Sequence, residues 1–377
     1  MAIIDRYLLK NFLGVFAVFF ISFFGLFVVG DTVNNFSEIL RYAESNGGLL
    51  RAVLKYYGLR SLVFFDWMNP LLILVATMFT IATFRRHNEM TALMAAGIRN
   101  ERMVRPLLIM SCILVLLAVV NRECILPSFR QDLSTNIQNI RNDKTDAIVP
   151  VYDNQTDILL SGEGIVLVDE RIVEPNFFLP RTLDQYGVQL LGREATFQPS
   201  TNEHPEGYLF SGIRQPEELV TESSLKLNGV PILYTPQDTL WLKSDQCFVV
   251  SSVEPKLLIG GGNWQQFSST PELMGALENP SVKHNPGIEV ELHSRFVQPF
   301  LDLNLLLLGL PLVLTRQSRS LFFSVGLCVL LIVVFMGVIM LCHNLGSSSL
   351  LSPALSVWLP LMVFVPMAVA SSLPLYE

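Results

Sequence analysis

From Ser320 to Tyr376 the chain contains no Asp, Glu, Lys or Arg. A helix that crosses ~30 Å of hydrocarbon needs about 20 apolar residues, so this stretch is too long for one span and long enough for two. It is broken in the middle by "NLGSSSLLSP", whose Gly, Ser and Pro residues end helices and start turns. Four more runs locate further spans: Phe12 to Gly30, Trp67 to Phe84, Pro106 to Asn121 with Met103 and Val104 at its start, and Phe296 to Thr315, flawed only by Asp302. The expectation is a membrane α-helical protein with six transmembrane helices, three on each side of a long central segment. Composition agrees, with 51% hydrophobic and 16% charged residues and a mean hydropathy of +0.44. Arg6 and Lys10 precede the first run, as they would in a secretory signal peptide. Its length and the lack of a small-residue cleavage site predict a retained span instead.

Short cytoplasmic loops are enriched in Lys and Arg. One side carries Arg6, Lys10, Arg85, Arg86, Arg99, Arg102, Arg105, Arg316 and Arg319. The short loops of the other offer Arg41, Arg51, Lys55 and Arg60, balanced by Asp31, Glu38, Glu44 and Asp66. Both termini are therefore expected in the cytoplasm, and residues 122–294 outside, between membrane halves 1–121 and 295–377. The outer segment holds twelve basic against twenty-four acidic residues, a net charge of −12, while the remainder carries +5. Such a segment is no nucleic-acid binder in any simple electrostatic sense.

Within it the hydrophobic pattern alternates, as half-buried strands require. "DILLSGEGIVLVDERIV", "YGVQLLGREATFQ", "GYLFSGIRQ" and "DTLWLKSDQCFVVSSV" are short strand-like runs separated by Pro, Gly, Asn and Asp. This punctuation predicts an inserted β domain of sandwich or jelly-roll type. "TPELMGALENP" reads as a helix with a Thr cap and Pro271 in its first turn. Alternating Leu, Ile, Val and Phe can line one face of such a sheet for acyl chains, which makes Leu167, Leu190, Leu209 and Phe248 candidates for a lipid path. The same residues equally fill an ordinary closed core.

No signature of catalysis emerges. There is no Gly-Lys pair and hence no phosphate-cradling loop, and "IGGGNW" reads as a turn. The five histidines, at 87, 204, 284, 293 and 343, lack metal-binding spacing, and His343 reads as a hydrogen-bonded structural residue. Neither a metal nor a cofactor is called for. Cys112, Cys328 and Cys342 fall in or near spans, while Cys124 and Cys247 lie outside them and could pair. Asp302 falls well inside its span, so it should face a partner helix or a wet cavity rather than lipid.

Between the second and third spans stands "RRHNEMTALMAAGI", Arg85 to Ile98. Asn88 can cap a helix there, Glu89 suits the first turn, and Gly97 suits the carboxyl-terminal end. Met90, Leu93, Met94 and Gly97 form one stripe at helical spacing, with Ala92, Ala95 and Ala96 smoothing the other faces. A short helix of this kind fits a groove on another protein, or lies flat on the membrane.

This run resembles the coupling helix, here 86–98, of the LptF/LptG family of lipopolysaccharide-export permeases. "IIDRYLLKNFLGVF" resembles the family's start, "VELHSRFVQPFLDLNLLLLGLPLVL" its fourth span, and "LSPALSVWLP" the approach to its sixth. The resemblance implies a non-catalytic subunit of an ABC transporter in the bacterial inner membrane, paired with a second permease of the same family above an LptB-like ATPase dimer. It implies that lipopolysaccharide, or a related lipid, is drawn from the membrane and handed to a periplasmic jelly-roll bridge protein. Arg86, Glu89, Leu93, Ala96 and Gly97 then contact the ATPase. Some members of the family carry basic residues near the outer end of span one; "VVGDTVNNFSEIL" has none, the first basic residue being Arg41 after it, and "GDTVNNFSEIL" leans slightly toward the LptG type.

Three other functions fit parts of the pattern. A mechanical permease for lipoproteins usually has one span before its outer domain and three after. A secondary transporter normally carries ionisable groups in several spans. A receptor needs a cytoplasmic output domain, and the cytoplasmic loops here are short.

Overall fold

The computed structural model describes residues 3–37, 39–40, 48–97, 100–129, 133, 148, 150–166, 169–180, 189–201, 204–216, 223–227, 229–258, 263–279, 281, 286–314 and 321–372. The chain divides into a helical unit, Met1–Leu133 with Phe267–Thr270 and Pro286–Glu377, and a β unit, Ser134–Gln266 with Pro271–Asn285. Leu167, Ile98, Arg99 and the stretch bearing Arg316 and Arg319 lie outside the described residues.

The helical unit contains α1 (Ile3–Asn34), α2 (Leu49–Arg86), the short α3 (Glu89–Ala95), α4 (Asn100–Val120), then α6 (Pro286–Leu314), α7 (Leu321–Ser347) and α8 (Pro353–Ser372); of α5 (Thr270–Glu278), which precedes α6 in the chain, only Thr270 belongs to this unit. Among the described residues six helices are long and apolar enough to cross a membrane. They extend past the apolar runs. α2 begins at Leu49, so Arg51, Lys55 and Arg60 lie on helical turns and not in the expected loop; Leu, Arg, Ala and Lys are all good helix formers. Where α1 and α2 meet near those turns, Tyr57 donates to Asp31 at 3.0 Å and its oxygen lies 2.8 Å from the Thr32 hydroxyl. Below them a Phe ladder follows, Phe24 against Phe64 at 5.4 Å and Phe19 against Phe79 at 4.8 Å, in offset and tilted geometries favourable for aromatic pairs.

The hub is α6, which packs against α2, α4, α7 and α8. Val297, Leu301, Leu305, Leu306 and Leu310 are buried around most of its circumference, as a helix enclosed by neighbours requires. α4 does not stop at Asn121. It passes through a π-turn, Asn121–Ile125, into a last turn at Leu126–Ser128. Buried hydroxyls are satisfied within their own helices: Thr77 donates to the Ile73 carbonyl, Thr80 to Ala76 and Ser111 to Leu107, which removes free donors from hydrocarbon. The buried Nε2 of His343 has no hydrogen-bond partner among the described residues.

The β unit is a curled antiparallel half-barrel of jelly-roll character. Its described strands are β1 (Val151–Asp153), β2 (Ile158–Leu160), β3 (Gly162–Val166), β4 (Arg171–Phe178), β5 (Gln189–Leu191), β6 (Glu194–Gln198), β7 (Gly207–Ser211), β8 (Leu225–Leu227), β9 (Val230–Tyr234) and β10 (Gln246–Val250). The order is β1-β2-β4-β6-β7-β10-β9-β8, with β3 and β5 also on β4. Long β4 forms the corner. Residues 171–175 pair with β3 and β6, whereas residues 176–178 pair with β5 and β2. The exchange happens at Glu174, whose φ of 47° is left-handed, and at Pro175, which has no N–H to give the ladder. This bulge shifts the inward phase by one residue, so that Ile172 and Phe177 are both buried. Of "DTLWLKSDQCFVVSSV", only Gln246–Val250 is a strand; Leu240 stands exposed in a turn, since its Pro, Asp and Ser neighbours favour turns over a ladder. Cys124 and Cys247 are both free thiols, and burial pushes the Cys247 thiol far up.

At Gly309 on α6 a Cβ would run into Cδ1 of Leu74 on α2 and sit 3.3 Å from its Cγ. Gly309→Ala should therefore lower the thermal midpoint of the detergent-solubilised protein, by an overpacking effect of about 1–3 kcal/mol. Adding Leu74→Ala should recover part of that loss. A second substitution that only deepens the loss would show that the close approach does not limit packing there.

Candidate functional site

α3 is tied to its own bundle. Met90 is buried in the helical core and Leu93 packs against it, whereas Met94, Ala92, Ala95, Ala96 and Gly97 are exposed. The expected apolar stripe is thus divided: its first half anchors the helix, and the free face is the smooth one of Ala and Gly. Asn88 does not cap with its side chain. It sits in the left-handed region at φ 54° and offers its carbonyl to the Ala92 N–H, a conformation Asn tolerates better than most residues. Gly97 closes the helix at φ 79°, with its N–H on the Met94 carbonyl, as a terminal glycine does. Glu89 is half-buried and accepts from Tyr7 of α1 at 3.3 Å. Arg86, in the last turn of α2, is exposed.

A second group of polar residues lies inside the helical unit. Arg122, in the π-turn, donates through Nε to both carboxylate oxygens of Asp66 on α2, at 3.0 and 3.2 Å. The adjacent Glu123 accepts from the N–H and hydroxyl of Thr270 at 2.8 and 2.7 Å and from Arg295 of α6 at 3.2 Å. The Thr270 hydroxyl thus donates to Glu123. Arg295, with a side chain only 2% exposed, also reaches Glu291 at 3.4 Å. Asp302 is buried one face-repeat further along α6 and accepts from Gln298 at 2.8 Å. Asn304 is buried with neither amide atom partnered.

Sequence reasoning singled out Asp302 alone from this group. Arg122 and Glu123 looked like the start of the outer segment because charges interrupt the apolar run, although "CILPSF" resumes it. Glu291 and Arg295 carried a readable signal in their i,i+4 spacing on a helix.

The lipid-path candidates do not share one surface. Leu190 pairs with Phe177, whose ring meets Phe210 at 4.8 Å and Tyr208 at 5.5 Å, and all four are fully buried. Leu209 and Phe248 pair with each other on the opposite face of β7 and β10, where the Phe248 ring is covered by His204 at 5.0 Å and Trp241 at 5.3 Å. Leu209 is half-buried. Both faces of the curled sheet are therefore apolar.

Removing one member of a buried, hydrogen-bonded charge group leaves the others uncompensated and typically costs about 3–5 kcal/mol. Arg295→Met should accordingly cause a large drop in thermal midpoint, whereas Arg214→Met, which breaks the exposed pair with Glu174, should change it little. Equal shifts in the two variants would remove the distinction.

Comparison with known proteins adds a separate line. A family model described as lipopolysaccharide export system permease LptF/LptG matches residues 6–174 and 269–373. The match takes in the six long helices, α1 from Arg6 on, together with α3, the first three strands and the first half of β4, and leaves β5 to β10 uncovered. No curated protein matches the chain. The match spans well over half of the 377 residues and joins both groups of three membrane helices around the β unit. The chain belongs to the LptF/LptG family of lipopolysaccharide export system permeases.

Proposed function

We propose that this chain is the permease subunit of an ABC transporter that extracts lipopolysaccharide, or a similar glycolipid, from the inner membrane and passes it toward the outer membrane. ATP is hydrolysed by a separate LptB-like ATPase dimer, and a second LptF/LptG-type permease completes the membrane part. The observation that carries the reading is the family match over both helical halves, with α3 inside it. The basic residues gathered on one side of the sequence support cytoplasmic termini and a periplasmic β unit, with Arg122 and Glu123 kept in the helical unit. Val18, Ile21, Leu26, Val29 and Val33 leave α1 apolar and exposed, which suits lipid or a partner permease.

In this reading α3 is the coupling helix. Its anchored residues, Met90 and Leu93, carry motion into the bundle, and Ala96, Gly97 and Glu89 meet the ATPase, with Arg86 flanking. The β unit hands lipid onward to a periplasmic jelly-roll bridge protein along a path that includes Leu167, Leu190, Leu209 and Phe248.

If an ATPase arginine docks on Glu89, loss of that charge-assisted hydrogen bond should weaken docking by about 1.5–3 kcal/mol. Glu89→Ala should uncouple hydrolysis from export, and Gly97→Leu, which adds bulk at a left-handed position, should weaken co-purification of the ATPase. Wild-type export and assembly in both variants would mean that α3 merely rests on the membrane.

Photocrosslinkers distinguish a lipid path from a closed core. A probe at half-buried Leu209 should capture lipid during ATP-driven turnover, and probes at the buried Leu190 and Phe248 should do so only while ATP is hydrolysed. Silence at all three positions, with labelling retained on α1, would confine the lipid to the membrane helices.

A further inference from the structure

The polar group inside the helical unit has more acceptors than its cations need. Asp66, Glu123, Glu291 and Asp302 are set against Arg122 and Arg295. Arg295 has two carboxylates of its own, Glu123 and Glu291. Among the described bonds Arg122 is held by Asp66, and Glu291 and Asp302 also lie within its electrostatic reach, Glu291 being already engaged by Arg295. The depths agree. Asn121 of the π-turn donates to the Leu62 carbonyl on α2, which puts Asp66 about 6 Å further along α2 at ~1.5 Å per residue. Asp302 is seven residues, about 10 Å, beyond Arg295 on α6, and Arg295 is level with Glu123 through their bond. An arginine side chain extending from the π-turn toward mid-helix therefore has a carboxylate on either side, one on α2 and one on α6.

The backbone at this point suits a change of partner. A π-turn in an α-helix widens the hydrogen-bond ladder locally and is the place where such a helix rotates or re-registers most easily. This one spans Asn121–Ile125 and so contains Arg122 itself. The buried Asn121 Oδ1 beside it has no partner, and Asp302 is held only by the neutral amide of Gln298 among the bonds described.

We propose that Arg122 is a two-position ion-pair switch, seated on Asp66 in the present arrangement and transferable to Asp302, with the π-turn as its pivot, so that α4 moves from α2 toward α6. The guanidinium exchanges one carboxylate partner for another while a proton passes the other way, from the Asp302 carboxyl to Asp66, so the net charge of the group is conserved and each state holds one ion pair and one neutral acid instead of an unpaired buried charge.

The test uses the full chain purified in lipid nanodiscs without nucleotide, so its outcome does not depend on the transport reading. Spin labels replace exposed Leu117 on α4 and exposed Phe300 on α6 in a cysteine-free background, and dipolar EPR reads their separation. Asp66→Asn should shift the population to a second, shorter distance, and Asp302→Asn should keep the original single distance. Adding Arg122→Gln to Asp66→Asn should abolish the shift. The same broadening in Asp66→Asn and Asp302→Asn, or no second distance in Asp66→Asn, would overturn the proposal. Should Asp66→Asn fail to accumulate, Asp302→Glu extends the competing carboxylate by one methylene with Asp66 intact. It should draw out the second distance, and its failure to do so would equally overturn the switch.

Discussion

The guanidinium of Arg295 lies almost wholly out of solvent on the most enclosed helix of the membrane unit, and carboxylates on two segments hold it there. A charge in that setting is tolerated only when paired and hydrogen-bonded, because its hydration is lost and hydrocarbon supplies no substitute. Much of the helical arrangement follows from meeting this requirement. α6 must lie beside the π-turn of α4 to deliver Arg295 to Glu123, and α4 must lie beside α2 to deliver Arg122 to Asp66. Glycine at 309 then allows α6 to approach Leu74 of α2 closely.

The same economy of polar groups explains the π-turn. Consecutive residues of a regular α-helix point about 100° apart, and here Arg122 and Glu123 serve partners on different helices. A local widening of the helix gives those two side chains the latitude to do so. The β unit solves a comparable problem with one left-handed residue. Glu174 lets β4 leave one set of neighbours and join another, and its carboxylate is bonded at the surface to Arg214 at 2.7 and 2.9 Å.

Membership of a permease family and the fold of the chain join at α3. Its core-facing side makes it part of the bundle, and its other side presents little but backbone and methyl groups. Glu89, bonded to Tyr7, is the charge beside that surface, and in the coupling role proposed above this is the face that an ATPase would approach.

The number of spans, the insertion of a β unit and the place of α3 were legible from the sequence, because hydrophobic runs of fixed length and alternating periodicity are local properties that a bilayer and a pleated sheet impose directly. Which face of α3 turns inward, the phase shift at Glu174 and the pairing of Arg122 with Asp66 were decided only in three dimensions. Each depends on a partner far along the chain, fifty-six residues away for Arg122 and Asp66, and no local pattern encodes which of several carboxylates will be near once the helices have packed.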